Sequence, residues 1–179
     1  MKKTIVNGQE FKCYITHSKI KKRVVELAKA INKEYEGRTP LFIPVLNGSF
    51  MFASDLLKNV SIQSNVSFIK IQSYDGMKSS GKTKELIGLD HSIEGRDIII
   101  VEDIIDTGLT MEQLLKAVNK LKPASVKVAT LLFKRECLQK PIEPDYVGFE
   151  IPGHFVVGYG LDFDGYGRNL KHIYKAVLK

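Results

Sequence analysis

One stretch, residues 98–110, constrains this chain more than any other: Ile98, Ile99, Ile100 and Val101, then Glu102 and Asp103, then Ile104, Ile105, Asp106, Thr107, Gly108, Leu109 and Thr110. A run of β-branched apolar residues buries both of its faces and reads as a parallel strand. From residue 111 to 121 the apolar residues recur at helical spacing, so a helix should follow. The acids and hydroxyls are therefore expected between strand end and helix start, where open α/β sheets bind their ligands. A turn of backbone N–H groups capped by Thr107 and Thr110, opening onto a helix N-terminus, suits a phosphate. The carboxylates of Glu102 and Asp103 suit sugar hydroxyls or a divalent metal.

The rest of the chain repeats the strand-then-helix pattern. Ile20, Val24, Leu27, Ala28 and Ile31 share one helical face between residues 18 and 37, with Thr16 or Ser18 as N-cap and Gly37 as stop. Leu41–Leu46 reads as a strand, Asn47, Gly48 and Ser49 as a turn, and Phe50–Leu57 as a helix. Residues 66–71 and 126–133 read as further strands. Strands alternating with helices predict a mostly parallel, twisted sheet flanked by helices in an α/β fold. Beyond Pro141 two short strands, 145–151 and 155–159, are expected to form an accessory flap beside the sheet. The polar, glycine-containing stretch 73–84 is long for a connection inside a compact domain and reads as a lid.

Composition narrows the partners. A length of 179 residues suits one domain, and 44% hydrophobic with 26% charged residues is ordinary for a globular protein. The formal net charge of +7 is compatible with nucleic acid, an anionic surface or small polyanions. The basic residues are scattered rather than massed in a tail, and the lysine-rich run 78–84 falls in the expected lid, which favours small phosphorylated molecules. Cys13 and Cys137 have no CxxC spacing, and His17, His91, His154 and His172 have no ligand spacing, so neither a disulfide framework nor a zinc site is expected. The basic start is followed by Asn7, Gly8, Gln9 and Glu10, unlike a signal peptide, and no apolar run approaches the ~18 residues of a membrane span. A cytoplasmic protein is expected.

Residues 98–110 resemble the phosphoribosyl-pyrophosphate-binding motif of the type I phosphoribosyltransferases: an apolar run, two acids, two apolar residues, then Asp-Thr-Gly-x-Thr. The Glu-Asp-Ile-Ile-Asp-Thr-Gly form is similar to the hypoxanthine-guanine branch, which places a carboxylate at the position of Asp106 beside the purine. Other stretches, between about Leu46 and Arg168, follow in the family's order. Leu46, Asn47, Gly48 and Ser49 are similar to its pyrophosphate loop, where a non-proline cis peptide would fall between Leu46 and Asn47 and where many relatives carry lysine instead of Asn47. Ser73 and Tyr74 resemble the start of its catalytic lid, about residues 73–88. Lys134 and the segment from Phe155 to Asp162 resemble its base-binding residues, and Arg168 its pyrophosphate-binding arginine.

The resemblance implies one phosphoribosyltransferase domain over residues 1–179, with a small hood drawn mainly from about 141–179. It implies a purine salvage enzyme that transfers 5-phosphoribosyl to hypoxanthine or guanine, with Asp106 as general base. Glu102, Asp103, Asp106, Thr107, Gly108, Leu109 and Thr110 would hold the phosphoribosyl group. Lys134, Phe155, Val156, Leu161 and Asp162 would hold the purine, with Lys134 donating to O6, Phe155 stacking and the Val156 backbone reading the base edge. Asn47, Gly48 and Arg168 would hold pyrophosphate, and Glu102, Asp103 and Asp162 would bind Mg²⁺. The partners implied are these small molecules, not nucleic acid or membrane, in a homodimer or homotetramer with the Asn47 loop near a subunit contact. The alternatives are a regulator on the same fold that binds donor or nucleotide without turnover, and a transferase for another base, xanthine above all.

Overall fold

The computed structural model describes residues 2–71, the backbone of 86–87, and residues 93–177. Ser73, Tyr74, His91 and the lysine-rich run 78–84 lie outside these described residues.

A hairpin of β1 (Lys3–Val6) and β2 (Gln9–Ile15) precedes α1 (His17–Glu34). Strand β3 (Leu41–Leu46) and helix α2 (Phe50–Leu57) have the bounds read from sequence. The strand expected at 66–71 is broken into β4 (Asn65–Val66) and β5 (Ile69–Ile71), both parallel to β3 at different points along it. Strand β6 (Leu86–Ile87), inside the span expected for the lid, pairs antiparallel with β5. Then come β7 (Asp97–Ile105), α3 (Leu109–Asn119), β8 (Ser125–Phe133), a 3₁₀ turn (Arg135–Cys137), β9 (Tyr146–Glu150), β10 (Val156–Val157) and β11 (Ile173–Ala176).

Among the described residues the main sheet runs β6-β5-β3-β7-β8-β9, with β4 also paired to β3, and every pairing except β5 with β6 is parallel. Side-chain alternation along a strand divides its core in two. Phe42, Ile99 and Val101 face the helices α1 and α2, whereas Leu41, Ile43, Val45, Ile98 and Ile100 face α3. Helices on both faces explain why β3 and the Ile98–Val101 stretch of β7 are apolar throughout.

Two expectations about the C-terminal part are corrected. Strand β9, expected in a flap, pairs in parallel with β8 at the sheet edge, where Arg23 of α1 donates to its Val147 and Gly148 carbonyls at 2.8 Å each. The smaller sheet, ordered β1-β2-β11-β10, draws as much on the N-terminal hairpin as on residues after 141. Its hairpin turns on Asn7 and Gly8, both at positive φ (47° and 76°), which matches the right-handed strand twist. A separate apolar cluster of Val6, Phe11, Val157 and Tyr174 holds it together.

Candidate active site

Strand β7 continues through the acids, so Glu102 and Asp103 lie in its final residues rather than after it. The strand persists because β8 supplies ladder partners up to the Ile105–Phe133 pair. Asp103 is 8% exposed and its Oδ1 accepts the Ile104 N–H at 2.8 Å, while Glu102 Oε2 is buried with no hydrogen-bond partner. Burial pushes both carboxyls above their ordinary range, Glu102 the further because the Asp103 charge adds to it. Two neighbouring buried carboxylates with an oxygen unused call for hydroxyl donors or a cation.

Residues 106–108 alone join β7 to α3. The expected capping by Thr107 and Thr110 is not what ends the loop: the N-cap is Gly108 in the left-handed region, no side chain caps the helix, and Thr107 Oγ1 stands 3.5 Å from the Leu109 N–H, at the margin of a hydrogen bond. The first N–H groups of α3 thus lack a side-chain partner, and those groups with the helix dipole attract an anion. The Gln139 N–H donates to the Thr107 carbonyl at 2.9 Å, and a Cβ at Gly108 would come within 3.1 Å of Ile142, so the loop is fixed from behind. Glu102, Asp103, Asp106, Thr107, Gly108 and Thr110 line one cavity of about 220 Å³.

Lys134, at the end of β8, is buried and donates through Nζ to Asp106 Oδ2 at 2.6 Å. Two residues read separately in the sequence are thus an ion pair. Asp106 keeps about half of its side chain exposed, 48%, leaving it open to a second partner from the cavity side.

A second cluster adjoins Asp103. The peptide between Leu46 and Asn47 is cis, as the resemblance implied, and Asn47 is exposed. A Cβ on Gly48 would lie 1.7 Å from Asp103 Oδ2, so only glycine lets this turn touch that carboxylate. Ser49, expected in that turn without a role of its own, is fully buried, and its hydroxyl donates to the Val45 carbonyl at 2.6 Å. Arg168 Nη1 donates to the Gly160 carbonyl at 2.8 Å, its Nη2 lies 2.6 Å from Asp162 Oδ1, and its charge acts on Asp103. Asp162 Oδ2 accepts the Gly165 N–H at 2.7 Å, so both its oxygens are engaged. No group of three His, Cys, Asp or Glu side chains suited to a metal occurs among the described residues, and Asp162 is not gathered with Glu102 and Asp103.

On the hood side Phe155 is about half exposed, its ring centroid 5.4 Å from Phe163 and 6.2 Å from Phe11. Val156 lies in β10 opposite Lys175, and Val156 and Leu161 are both buried in the main core, so they offer backbone rather than side-chain surface. Of the described histidines, His172 Nδ1 accepts the His17 backbone N–H at 2.9 Å, His154 Nε2 lies 3.3 Å from Lys175 Nζ, and His17 Nδ1 is buried with no hydrogen-bond partner.

The profile of the phosphoribosyl transferase domain matches residues 13–164. The chain is 43% identical to the hypoxanthine-guanine phosphoribosyltransferase of Lactococcus lactis over 94% of this chain and 91% of that protein. It is equally 43% identical to the bifunctional protein TilS/HprT of Listeria monocytogenes over 94% of its own length, but it spans only 26% of that relative. A solved hypoxanthine-guanine phosphoribosyltransferase from Bacillus anthracis superposes with a TM-score of 0.83 at 36% identity, over 93% of this chain and 97% of that one.

Proposed function

The chain belongs to the phosphoribosyl transferase family, and on that premise we propose that it is a purine salvage enzyme moving 5-phosphoribosyl from phosphoribosyl pyrophosphate to hypoxanthine or guanine, with release of pyrophosphate. The observation that carries the assignment of its residues is the single cavity lined by Glu102, Asp103 and residues 106–108 and 110, with Lys134 bonded to Asp106.

The uncapped start of α3 and the Thr107 and Thr110 hydroxyls hold the 5-phosphate, and Glu102 and Asp103 face the ribose hydroxyls. Asn47, Gly48 and Arg168 hold the pyrophosphate. The purine lies against Phe155, with its O6 toward Lys134 and its edge toward the backbone of Val156, Leu161 and Asp162. As N9 forms its bond to the anomeric carbon, the carbon–oxygen bond to pyrophosphate breaks and its electron pair leaves with that group. Asp106 accepts the proton from N7, a general-base contribution of about 10²- to 10⁴-fold. Lys134 holds the Asp106 carboxylate in place and donates to the oxygen that distinguishes these bases from adenine. The guanidinium of Arg168 stabilises the charge gathering on the leaving group.

Relatives of this family use magnesium with the donor, and the donor set here fits it: hard carboxylate oxygens, one buried without a partner. Magnesium commonly takes one or two carboxylates and fills its remaining positions with water and substrate phosphates, so Glu102 and Asp103 suffice and Asp162 would contact it through the substrate side. Bound there, it supplies positive charge that offsets the pyrophosphate. A cytoplasmic location fits the free thiols of Cys13 and Cys137, and a homodimer or homotetramer with the Asn47 loop near a contact completes the proposal.

Nucleotide formation assayed with hypoxanthine, guanine, xanthine and adenine, with and without magnesium, tests this. Turnover of hypoxanthine or guanine, dependence on magnesium and rejection of adenine are expected. Tight donor binding with no turnover of any base would overturn it.

A further inference from the structure

Tyr159 is fully buried and has a φ of 53°, a conformation uncommon outside glycine. It stands between two glycines that leave no room for a side chain: a Cβ on Gly158 would lie 2.1 Å from the His172 carbonyl oxygen, and one on Gly160 would lie 2.0 Å from that of Gly48. The Tyr159 hydroxyl donates to Asp55 Oδ2 at 2.7 Å, across 104 residues of sequence. Asp55 belongs to α2, the helix that starts right after the Gly48–Ser49 turn. Gly160 is doubly bonded to Arg168, donating its N–H to the Arg168 carbonyl at 2.9 Å and accepting from Nη1 at 2.8 Å.

Tyr159 thus has its side chain tied to the helix that the Gly48 turn opens, and its next residue both presses on that turn and holds Arg168. We propose that the Tyr159–Asp55 hydrogen bond is a positioning strut for the pyrophosphate end of the donor site, fixing the Gly48 turn and the Arg168 guanidinium at the spacing one pyrophosphate requires. The inference rests on the donor-site assignment above and adds two residues to it that touch no substrate. A buried phenol needs a partner for its hydroxyl, and this one finds it on the element whose position matters, while the ring packs 6.3 Å from that of His17. Small misplacements of groups that orient a reactant are costly to rate, which is why one hydrogen bond behind the site has kinetic weight.

The test is steady-state kinetics in both directions on Tyr159→Phe, Asp55→Ala, Asp55→Asn and the Tyr159→Phe/Asp55→Ala double variant, with thermal melts to confirm folding. Tyr159→Phe keeps the ring and removes the donor. It should raise KM for the phosphoribosyl donor and for pyrophosphate roughly threefold to tenfold while leaving the purine KM within about twofold. Asp55→Ala should match it and the double variant should be no worse, whereas Asp55→Asn, whose amide oxygen still accepts from the hydroxyl, should stay close to the unaltered chain. Changes confined to melting temperature, an equal rise in donor and purine KM, or an Asp55→Asn as impaired as Asp55→Ala would overturn the strut. An unaltered chain that turns over neither hypoxanthine nor guanine would remove the donor-site assignment and the strut with it; normal turnover with an unmoved donor KM in Tyr159→Phe removes the strut alone.

Discussion

The two halves of the donor site are built in opposite ways. The phosphoribosyl half is one unbroken segment, the end of β7 and the turn into α3, whose acids and free N–H groups line a common cavity. The pyrophosphate half is assembled from Asn47 and Gly48 after β3, Gly160 and Asp162 beyond β10, and Arg168 further on, held by backbone contacts close enough that only glycine fits. A contiguous half carries its chemistry in residue order, whereas an assembled half carries it in clearances and long-range hydrogen bonds.

Four substitutions probe that contrast. The largest effect is expected at Asp106, where Asp106→Asn should lower kcat by about 10²- to 10⁴-fold with donor affinity within a few-fold of the unaltered chain, measured by single-turnover kinetics and calorimetry. Near-normal turnover there, with loss in Glu102→Gln instead, would move the base to another carboxylate. Gly48→Ala drives a methyl group into the Asp103 carboxylate. A tenfold or greater rise in donor KM is expected, on the order of what a displaced positioning group costs, with purine KM much less affected. Equal losses for donor and purine would mean the two halves are not separable in this way.

Lys134→Gln comes next. It removes a buried cation hydrogen-bonded to Asp106, and the loss of a charged donor to O6 should raise the purine KM on the order of tenfold and narrow the discrimination against adenine, read from competing-base assays. The smallest effect lies far from the site. The Lys127 ammonium, 2.6 Å away, and then the Tyr146 hydroxyl hold the Glu34 carboxyl below its ordinary value of 4.5. A carboxyl lowered on folding stabilises the protein above the unfolded value and loses that stabilisation as pH falls through the folded one. Because Glu34 is more than a third exposed, solvent screening holds the contribution below about 1 kcal/mol. Urea midpoints at pH 7 and below pH 4 should therefore differ slightly less in Glu34→Gln than in the unaltered chain.

The same contrast decides what the sequence made legible. The alternation of β3 and β7 between two helix layers, the bounds of β3 and α2, and the acid-rich turn all follow from neighbours in the chain. Extension of β7 through Glu102 and Asp103 depends on ladder partners in β8, which residue order does not display. Strand β9 is short, flanked by prolines and amphipathic at best, so its place at the edge of the main sheet emerges only from pairing with β8 and from Arg23 of α1. The N-terminal hairpin did carry a local signal, Asn7-Gly8 between alternating residues, that marks a two-residue turn. Within the site, Lys134 and Asp106 were each marked, but their ion pair was not. Ser49 and Tyr159 fall inside stretches the sequence marks and Asp55 outside them, yet the contacts of all three lay hidden because a serine after a turn, an acid on a helix and a tyrosine between glycines have no fixed meaning until the chain folds.

The central claim is that one turn between strand and helix both grips the sugar phosphate and supplies the base for the purine. Titrating the isotope-labelled protein with a purine nucleoside 5′-monophosphate and following backbone amide resonances tests it most directly. Large shifts at residues 106–110, accompanied by a change at Lys134 and little change at the far edge of the sheet near β9, are expected. Saturable binding that leaves the amides of residues 106–110 unmoved would contradict it.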